Sequence, residues 1–351
     1  MDADAASAPA PATEPPPAES PNGKAATIYD VARVAGVSHQ TVSRFIKGYE
    51  GIRPETRDRV LAALQQLGYR PNLTARSLRK GTSHRIAALT HAIDQVGPSR
   101  IVQGASEAAR EAGYLLDIVS LDMADSRSIQ EALELVHQLD VAGVLALAST
   151  DEMADAFAAA DFRVPTFIAS EKDDVLTGHP ELTNRGFPAV IAHLVDLGHE
   201  GFVHIAGPST WLAARNRSRA FTSALAVHGL DPIAILAGDW SAKSGYDAVA
   251  RLSQELPATA IVASNDQMAL GAMLALTHRG LRVPDDVSVT GVDDIPEAAY
   301  FSPPLTTLRI DFAAQGRAAV MELLGGVYEG TPPLQSDLVI RNSTGRVGGS
   351  P

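Results

Sequence analysis

The chain has 351 residues, 45% hydrophobic and 5% aromatic, with 41 acidic residues against 29 basic ones and a net charge of −12. That length holds two or three domains of ordinary soluble composition, while so large an acidic excess predicts repulsion from polyanions. The absence of cysteine excludes disulfides, Cys-ligated zinc and thiol nucleophiles, and with neither a charge-free run of about 18 apolar residues nor a basic-then-apolar leader, no membrane contact or secretory signal is expected and the chain reads as cytoplasmic.

Residues 1–26 are rich in Ala, Pro and Glu and nearly devoid of large apolar side chains, so burial cannot offset their ordering entropy and a disordered tail is expected. The charge then reverses. From Lys24 to Arg85, twelve Lys or Arg stand against four acids, a net of about +8 that leaves about −20 for the rest. A small basic module is carried by an acidic body.

Helical periodicity begins in "TIYDVARVAGVSHQTVSRFIKG". Thr27 and Asp30 have capping-box spacing, with Asp where Glu is usual, and Val31, Val34 and Ala35 form an apolar stripe ended by Gly36. Ser38 can cap a second helix whose Val42, Phe45 and Ile46 share a core-facing side. The other side carries His39, Gln40, Ser43 and Arg44, with Gln40 and Arg44 one turn apart. Two helices joined through a Gly-containing turn are a helix-turn-helix, which sets the N-terminal residues of its second helix against base edges in the major groove. Gln and Arg suit that position because their forked polar groups match adenine or guanine edges bidentately. A lone Gln/Arg pair would be read as a solvated face. The local charge and a third helix in "RPETRDRVLAALQQLG", with Pro54 in its first turn and Val60, Leu64 and Leu67 in register, favour DNA instead. This all-α domain spans residues 27–71. Residues 72–84, "NLTARSLRKGTSH", are basic with only Leu73 and Leu78 as large apolar residues. They read as a linker, or as a hinge that becomes helical on DNA and wedges a leucine into the minor groove.

The stretches "YDVARVAGVSHQTVSR", "RPETRDRVLAALQQLGYRPN" and "ARSL" together resemble the LacI/GalR family of bacterial transcription regulators, and the likeness continues over about residues 27–345. It implies that His39, Gln40 and Arg44, with Thr41 and Ser43 on the same helix, read a double-stranded operator. It also places Ala75 and Leu78 in the hinge, with Leu78 as the wedge.

From residue 85 to 345, strand-like runs alternate with amphipathic stretches: "RIAALT", "YLLDIVS", "AGVLALA", "PTFIAS", "GFVHIAGP", "TAIVASN" and "VSVTGVDD". The alternation predicts an α/β domain with parallel sheets buried on both faces, and about 265 residues exceed one compact core, so two lobes are expected. The resemblance implies two periplasmic-binding-protein-like lobes with a ligand between them. Ligands of open parallel sheets bind beyond the carboxyl ends of strands, where His91, Ser170, Arg217, Asn265 and Asp293 lie. Trp240 in "GDWSAKSGY" adds a face on which a sugar ring can stack. Capping alone would also account for Asn265 and Asp293. The resemblance raises Arg217, Trp240, Asn265 and Asp293, because their counterparts in a galactoside-responsive member of the family surround the galactoside. Ser170 and His91 depart from that member, which has an aspartate and a serine there, so a sugar is preferred while other metabolites stay open. The chain ends in a strand-like "SDLVIRNST" and a short tail, residues 346–351, without the leucine heptads that make that member a tetramer; a homodimer on a near-palindromic operator is therefore expected.

No nucleophile elbow, Walker sequence or G-x-G-x-x-G occurs, so the chain is read as no enzyme and as needing no cofactor. "HEGFVH", His199 to His204, spaces its histidines by five where the zinc motif needs four, so no metal is expected and His193 reads as packing or surface. A solute-binding protein is the rival from a different class, opposed by the basic module. An activator, or a regulator whose ligand strengthens DNA binding, is the rival within the class.

Overall fold

The computed structural model describes residues 26–69, 83–122, 126–170, 182–253, 258–325 and 336–348. Ala75 and Leu78, the expected hinge contacts, lie outside the described residues. The chain divides into two compact units between Thr82 and Ser83.

The amino-terminal unit holds α1 (Ile28–Ala35), α2 (His39–Ile46) and α3 (Pro54–Gln66). Thr27 and Asp30 cap α1 reciprocally, the Thr27 amide donating to the Asp30 carboxylate at 3.0 Å. The helix stops at Gly36, whose φ of 63° lets the Val37 amide reach back to the Ala32 carbonyl at 3.0 Å. Val31, Ala32, Ala35, Val42, Val60 and Ala63 close a small core, with Phe45 and Ile46 packed on it. Val34, expected in the apolar stripe, is 42% exposed. The inward face runs through 28, 31, 32 and 35, the spacing that about 100° per residue demands, so Ala32 takes its place.

In the second unit, β1 (Arg85–His91), β2 (Leu115–Leu121), β3 (Gly143–Ala148) and β4 (Thr166–Ser170) form a parallel sheet in the order β2-β1-β3-β4. Its helices include α4 (Val96–Glu111), α5 (Ser126–Gln138) and α6 (Asp151–Ala159). Strand alternation sorts the side chains into two cores. Ala87, Leu89, Val144 and Ala146 meet Ile129, Leu133 and Phe157 on one face, while Ile86, Ala88 and Leu145 meet Val102 and Ala105 on the other.

The second lobe runs through α7 (Leu182–Asp196), β5 (Phe202–Ala206), α8 (Leu212–Val227), β6 (Pro232–Ala237), α9 (Ala242–Ala250), β7 (Ala260–Ala263), α10 (Asp266–His278), β8 (Ser288–Asp293) and β9 (Thr306–Ile310). With β10 (Ser336–Val339), antiparallel to β9, they make a sheet ordered β10-β9-β8-β7-β5-β6. α11 (Phe312–Leu323) follows β9 yet packs Val320 and Leu323 into the core of the first lobe. The chain therefore passes between lobes three times. α4 and α11 approach so closely that a Cβ on Gly104 would collide with the Ala313 carbonyl, and one on Gly316 with the Ile101 carbonyl.

The C-terminal residues close the second lobe. Ser343 is fully buried and donates its hydroxyl to the Val289 carbonyl at 2.6 Å, Thr344 bonds His193 at 3.0 Å, and the Val347 amide donates to the Leu197 carbonyl at 3.1 Å. The chain is thus pinned as far as Val347, past residue 345, where the resemblance ends. No described helix is long and apolar enough to cross a membrane.

Candidate nucleic-acid interface and effector pocket

α2 begins where the Ser38 hydroxyl accepts from the Thr41 amide at 3.2 Å. The Thr41 hydroxyl bonds Ser38 at 3.0 Å, which ties Thr41 to the cap. Val42 is fully buried, and that anchor turns His39, Gln40 and Arg44 outward, all exposed, with Ser43 half-buried. Two tyrosines that periodicity did not single out flank the helix: the Tyr29 ring lies 5.2 Å from the His39 ring, and the Arg44 guanidinium sits 5.7 Å from the centre of the Tyr49 ring. Ser38, Thr41, Arg44, Tyr49, Arg53 and Thr56 border a solvent-open concavity beside α2. Hydroxyls and two guanidinium groups suit phosphate oxygens, while Gln40 and Arg44 have the donor geometry for base edges.

In the second lobe, Arg217, Trp240, Asn265 and Asp293 come together. Arg217, on α8, donates to the Ser264 carbonyl and lies 3.5 Å from Asp293, both side chains buried. Its guanidinium carbon is 5.4 Å from the centre of the Trp240 ring. Asn265 caps α10 by accepting from the Met268 amide at 2.9 Å, and its amide nitrogen donates to the Trp240 carbonyl, also at 2.9 Å. Both ends of Asn265 are engaged, so it holds Trp240 in place. That hold matters because Trp240 has a φ of 73° and Asp293 one of 109°, conformations that cost about 1–3 kcal/mol each in a residue with a side chain. The indole packs on Gly207, where any Cβ would strike it.

Two further carboxylates brace the turn after β8. Asp266 is fully buried and accepts from the Ile295 amide at 2.8 Å and pairs with the Thr307 hydroxyl at 2.5 Å. Burial, reinforced by the neighbouring Asp293, pushes its carboxyl up to about 8. Asp294 bonds Arg309 and Arg341, each at 2.7 Å; burial alone would raise its pKa, and these two guanidinium groups reverse the shift and lower it. Sequence reasoning singled out neither residue.

In the first lobe, His91 ends β1 with no exposed surface, and burial holds its pKa down at about 4 against the attraction of Asp94, so it is neutral near pH 7. Its ring centre is 4.7 Å from that of Trp211, which in turn lies 5.7 Å from Trp240. Trp211 belongs to the second lobe and was not a sequence candidate; the only hint was an aromatic residue just past "HIAGP". The lobes are joined at this point by a bridge between Thr150 and Trp211, by the Leu212 amide donating to the Ser149 carbonyl at 2.9 Å, and by Arg215 on Asp151 at 2.6 Å. Ser170 ends β4, exposed, two strands from β1 and so about 10 Å across the sheet from His91. The histidines of "HEGFVH" diverge: His199 bonds the Gly345 carbonyl, while His204 sits in the core against Val262 and Ser264. Among the described residues no group of His, Asp or Glu is arranged to hold a metal.

Residues 27–72 match the family described as bacterial regulatory proteins, lacI family, and residues 191–344 match the periplasmic binding protein-like domain. The chain is 35% identical to the lactose operon repressor of Escherichia coli (strain K12) across 92% of its own length and 91% of that protein. It is 34% identical to the HTH-type transcriptional repressor PurR of Haemophilus influenzae, over 85% of this chain and 90% of the other. Among solved structures it aligns with the lac repressor dimer bound to operator and the anti-inducer ONPF at a TM-score of 0.80 and 34% identity, covering 92% of this chain and all of that one. A complex of the transcriptional regulator CelR with cellobiose aligns at a TM-score of 0.63 and 26% identity, over 91% of this chain and 99% of the other. With a third of its residues shared across nearly the whole length of such repressors, and with a reading helix and a two-lobed sensor built as theirs are, the chain belongs to the LacI family of bacterial transcriptional regulators.

Proposed function

We propose that this regulator represses carbohydrate-utilisation genes, holding a near-palindromic operator as a homodimer and releasing it when a small sugar occupies the pocket around Arg217, Trp240 and Asp293. One observation carries the reading: the chain that turns Gln40 and Arg44 outward on a capped helix also buries an aspartate and an indole against one arginine. That set can bind hydroxyls and stack on a pyranose face. The lactose operon repressor and the CelR–cellobiose complex support the sugar. His39, Gln40, Thr41, Ser43 and Arg44 are assigned to the operator, and Ala75 and Leu78, on resemblance alone, to the minor groove. Ser170 and His91 are the first-lobe side of the pocket. The chain binds its effector without transforming it and works in the cytoplasm. Release requires that the sugar and DNA favour different states, with a reciprocal coupling of about 1–3 kcal/mol.

The test is selection of a preferred site from random duplexes, followed by titration of that complex with lactose, allolactose, galactose and cellobiose. A palindrome released by one of these is expected; no enriched site would overturn the assignment of α2, and a palindrome indifferent to all four would overturn the sugar. Arg44→Ala should cost about 1–3 kcal/mol and relax specificity at one base position, whereas uniform weakening across sequences would make it a phosphate contact. Asp293→Asn should keep operator binding and lose the response.

A further inference from the structure

The aromatic contact that joins the lobes also constrains what the pocket takes. His91 is fully buried and both of its ring nitrogens lack a hydrogen-bond partner among the described residues; Trp240 Nε1 and Arg217 Nε, on side chains 6% and 4% exposed, also lack one there. These atoms belong to one contact chain, His91 to Trp211 to Trp240 to Arg217, that runs from the first lobe to the second. Buried polar atoms are normally paired, so four of them along one chain mark where a ligand binds. Neutral His91 offers one donor and one acceptor, and the other two atoms are donors only. Three donors and an acceptor are met by hydroxyl groups, each of which accepts and donates.

Charge and ring geometry narrow the class. Arg217 is already matched by Asp293, Arg309 and Arg341 are committed to Asp294, and Arg215 to Asp151. Among the described residues, these arginines thus leave no free counter-ion for a buried anionic ligand. The Trp211 ring is inclined by 54° to His91 and by 65° to Trp240. No parallel pair of faces frames a slot for a flat base, but a single indole face can take the apolar side of a saturated ring.

Resting on the sugar-pocket reading above, we infer that Trp211 is a further effector-contacting, specificity-determining residue, and that with His91 it selects an uncharged polyhydroxylated ring over sugar acids, sugar phosphates and purines. Because its backbone bridges Thr150, the same residue holds the lobes together where the ligand sits.

The protein reports on this directly, since Trp211 and Trp240 are its two tryptophans. Emission of the full chain is followed while galactose, cellobiose, galacturonate, glucose 6-phosphate and hypoxanthine are added, with calorimetry in parallel. A neutral sugar should change the emission saturably, with the three other compounds weaker by more than about a hundredfold, as expected for burying an unpaired charge or a misfitting ring. Trp211→Ala should weaken the neutral sugar by about tenfold or more, while Trp211→Phe, which keeps an aromatic face, should retain most of the affinity. Tighter binding of galacturonate, the phosphate or hypoxanthine, with altered emission, would overturn this inference and leave the pocket standing. Unchanged affinity in Trp211→Ala would remove Trp211 from the site. Calorimetric binding without any emission change, or no binding by either neutral sugar, would overturn the pocket or the sugar reading itself.

Discussion

Asp266 and Asp294 lie close to the same strained turn and hold their protons in opposite ways. Asp294 faces two guanidinium groups and stays ionised, whereas Asp266 is walled in beside Asp293 with a pKa near 8. The Thr307 hydroxyl and the Ile295 amide both donate to Asp266 and favour its ionised form, but burial and the neighbouring Asp293 outweigh them. A carboxyl whose folded pKa exceeds its unfolded value near 3.9 keeps a proton that the unfolded chain has lost. Its contribution is intact below about pH 4 and is lost as pH rises toward 8. Asp266→Asn keeps an oxygen for Ile295 and is neutral at every pH, so denaturant melts of the variant should match the parent near pH 4 and fall less steeply between pH 4 and 8. Identical pH profiles would show that Asp266 ionises normally. None of this was legible in "SNDQMALGAM", where the aspartate after Asn265 reads as a first-turn charge. Strand ends did point to the residues around it, because polar groups there must either cap or bind. Asn265 shows why spacing could not decide: it caps α10 and also holds Trp240, and only the partner of its second amide atom reveals that.

At the level of elements, the seam between α4 and α11 depends on the missing side chains of Gly104 and Gly316, each facing a carbonyl of the other helix. Alanine in a helix gains about 1 kcal/mol over glycine, but a Cβ forced onto backbone atoms costs about 1–3 kcal/mol because neither helix can yield locally. Gly104→Ala and Gly316→Ala should therefore each lower the denaturant midpoint despite their better helix propensity, and a raised midpoint would mean that the helices slide apart freely. Seven of the strands are legible from their apolar runs, whereas β6 and β9 are not singled out by the sequence reading. β6 is apolar from Ile233 to Ala237, but it starts with Pro232, which demotes a run as a strand candidate, and at the sheet edge its residues alternate between half-buried and exposed. β9 is only five residues long, with Arg309 exposed in it to reach Asp294. The docking of α11 on the first lobe was not readable either, since its partners lie some two hundred residues earlier and periodicity records only that one side is apolar.

Across the whole molecule, charge is divided where function divides: about +8 lies between Lys24 and Arg85 and about −20 elsewhere. Operator affinity should fall linearly with the logarithm of salt concentration, by a slope of about −0.9 for every phosphate neutralised. A flat dependence would mean that the basic segment does not meet the backbone. The two-unit organisation and the paired lobes followed from composition and length, because a basic cluster and an overlong α/β segment survive averaging, whereas the interlobe contacts at His91, Trp211 and Thr150 depend on a fold that brings distant turns together. The thrice-crossed connection also sets an order of events during synthesis. The three-helix unit is complete once Tyr69 has left the ribosome, but the first lobe waits for Leu323 and the second for Val347. Each new molecule thus acquires the part that reads DNA well before the part that can be told to let go.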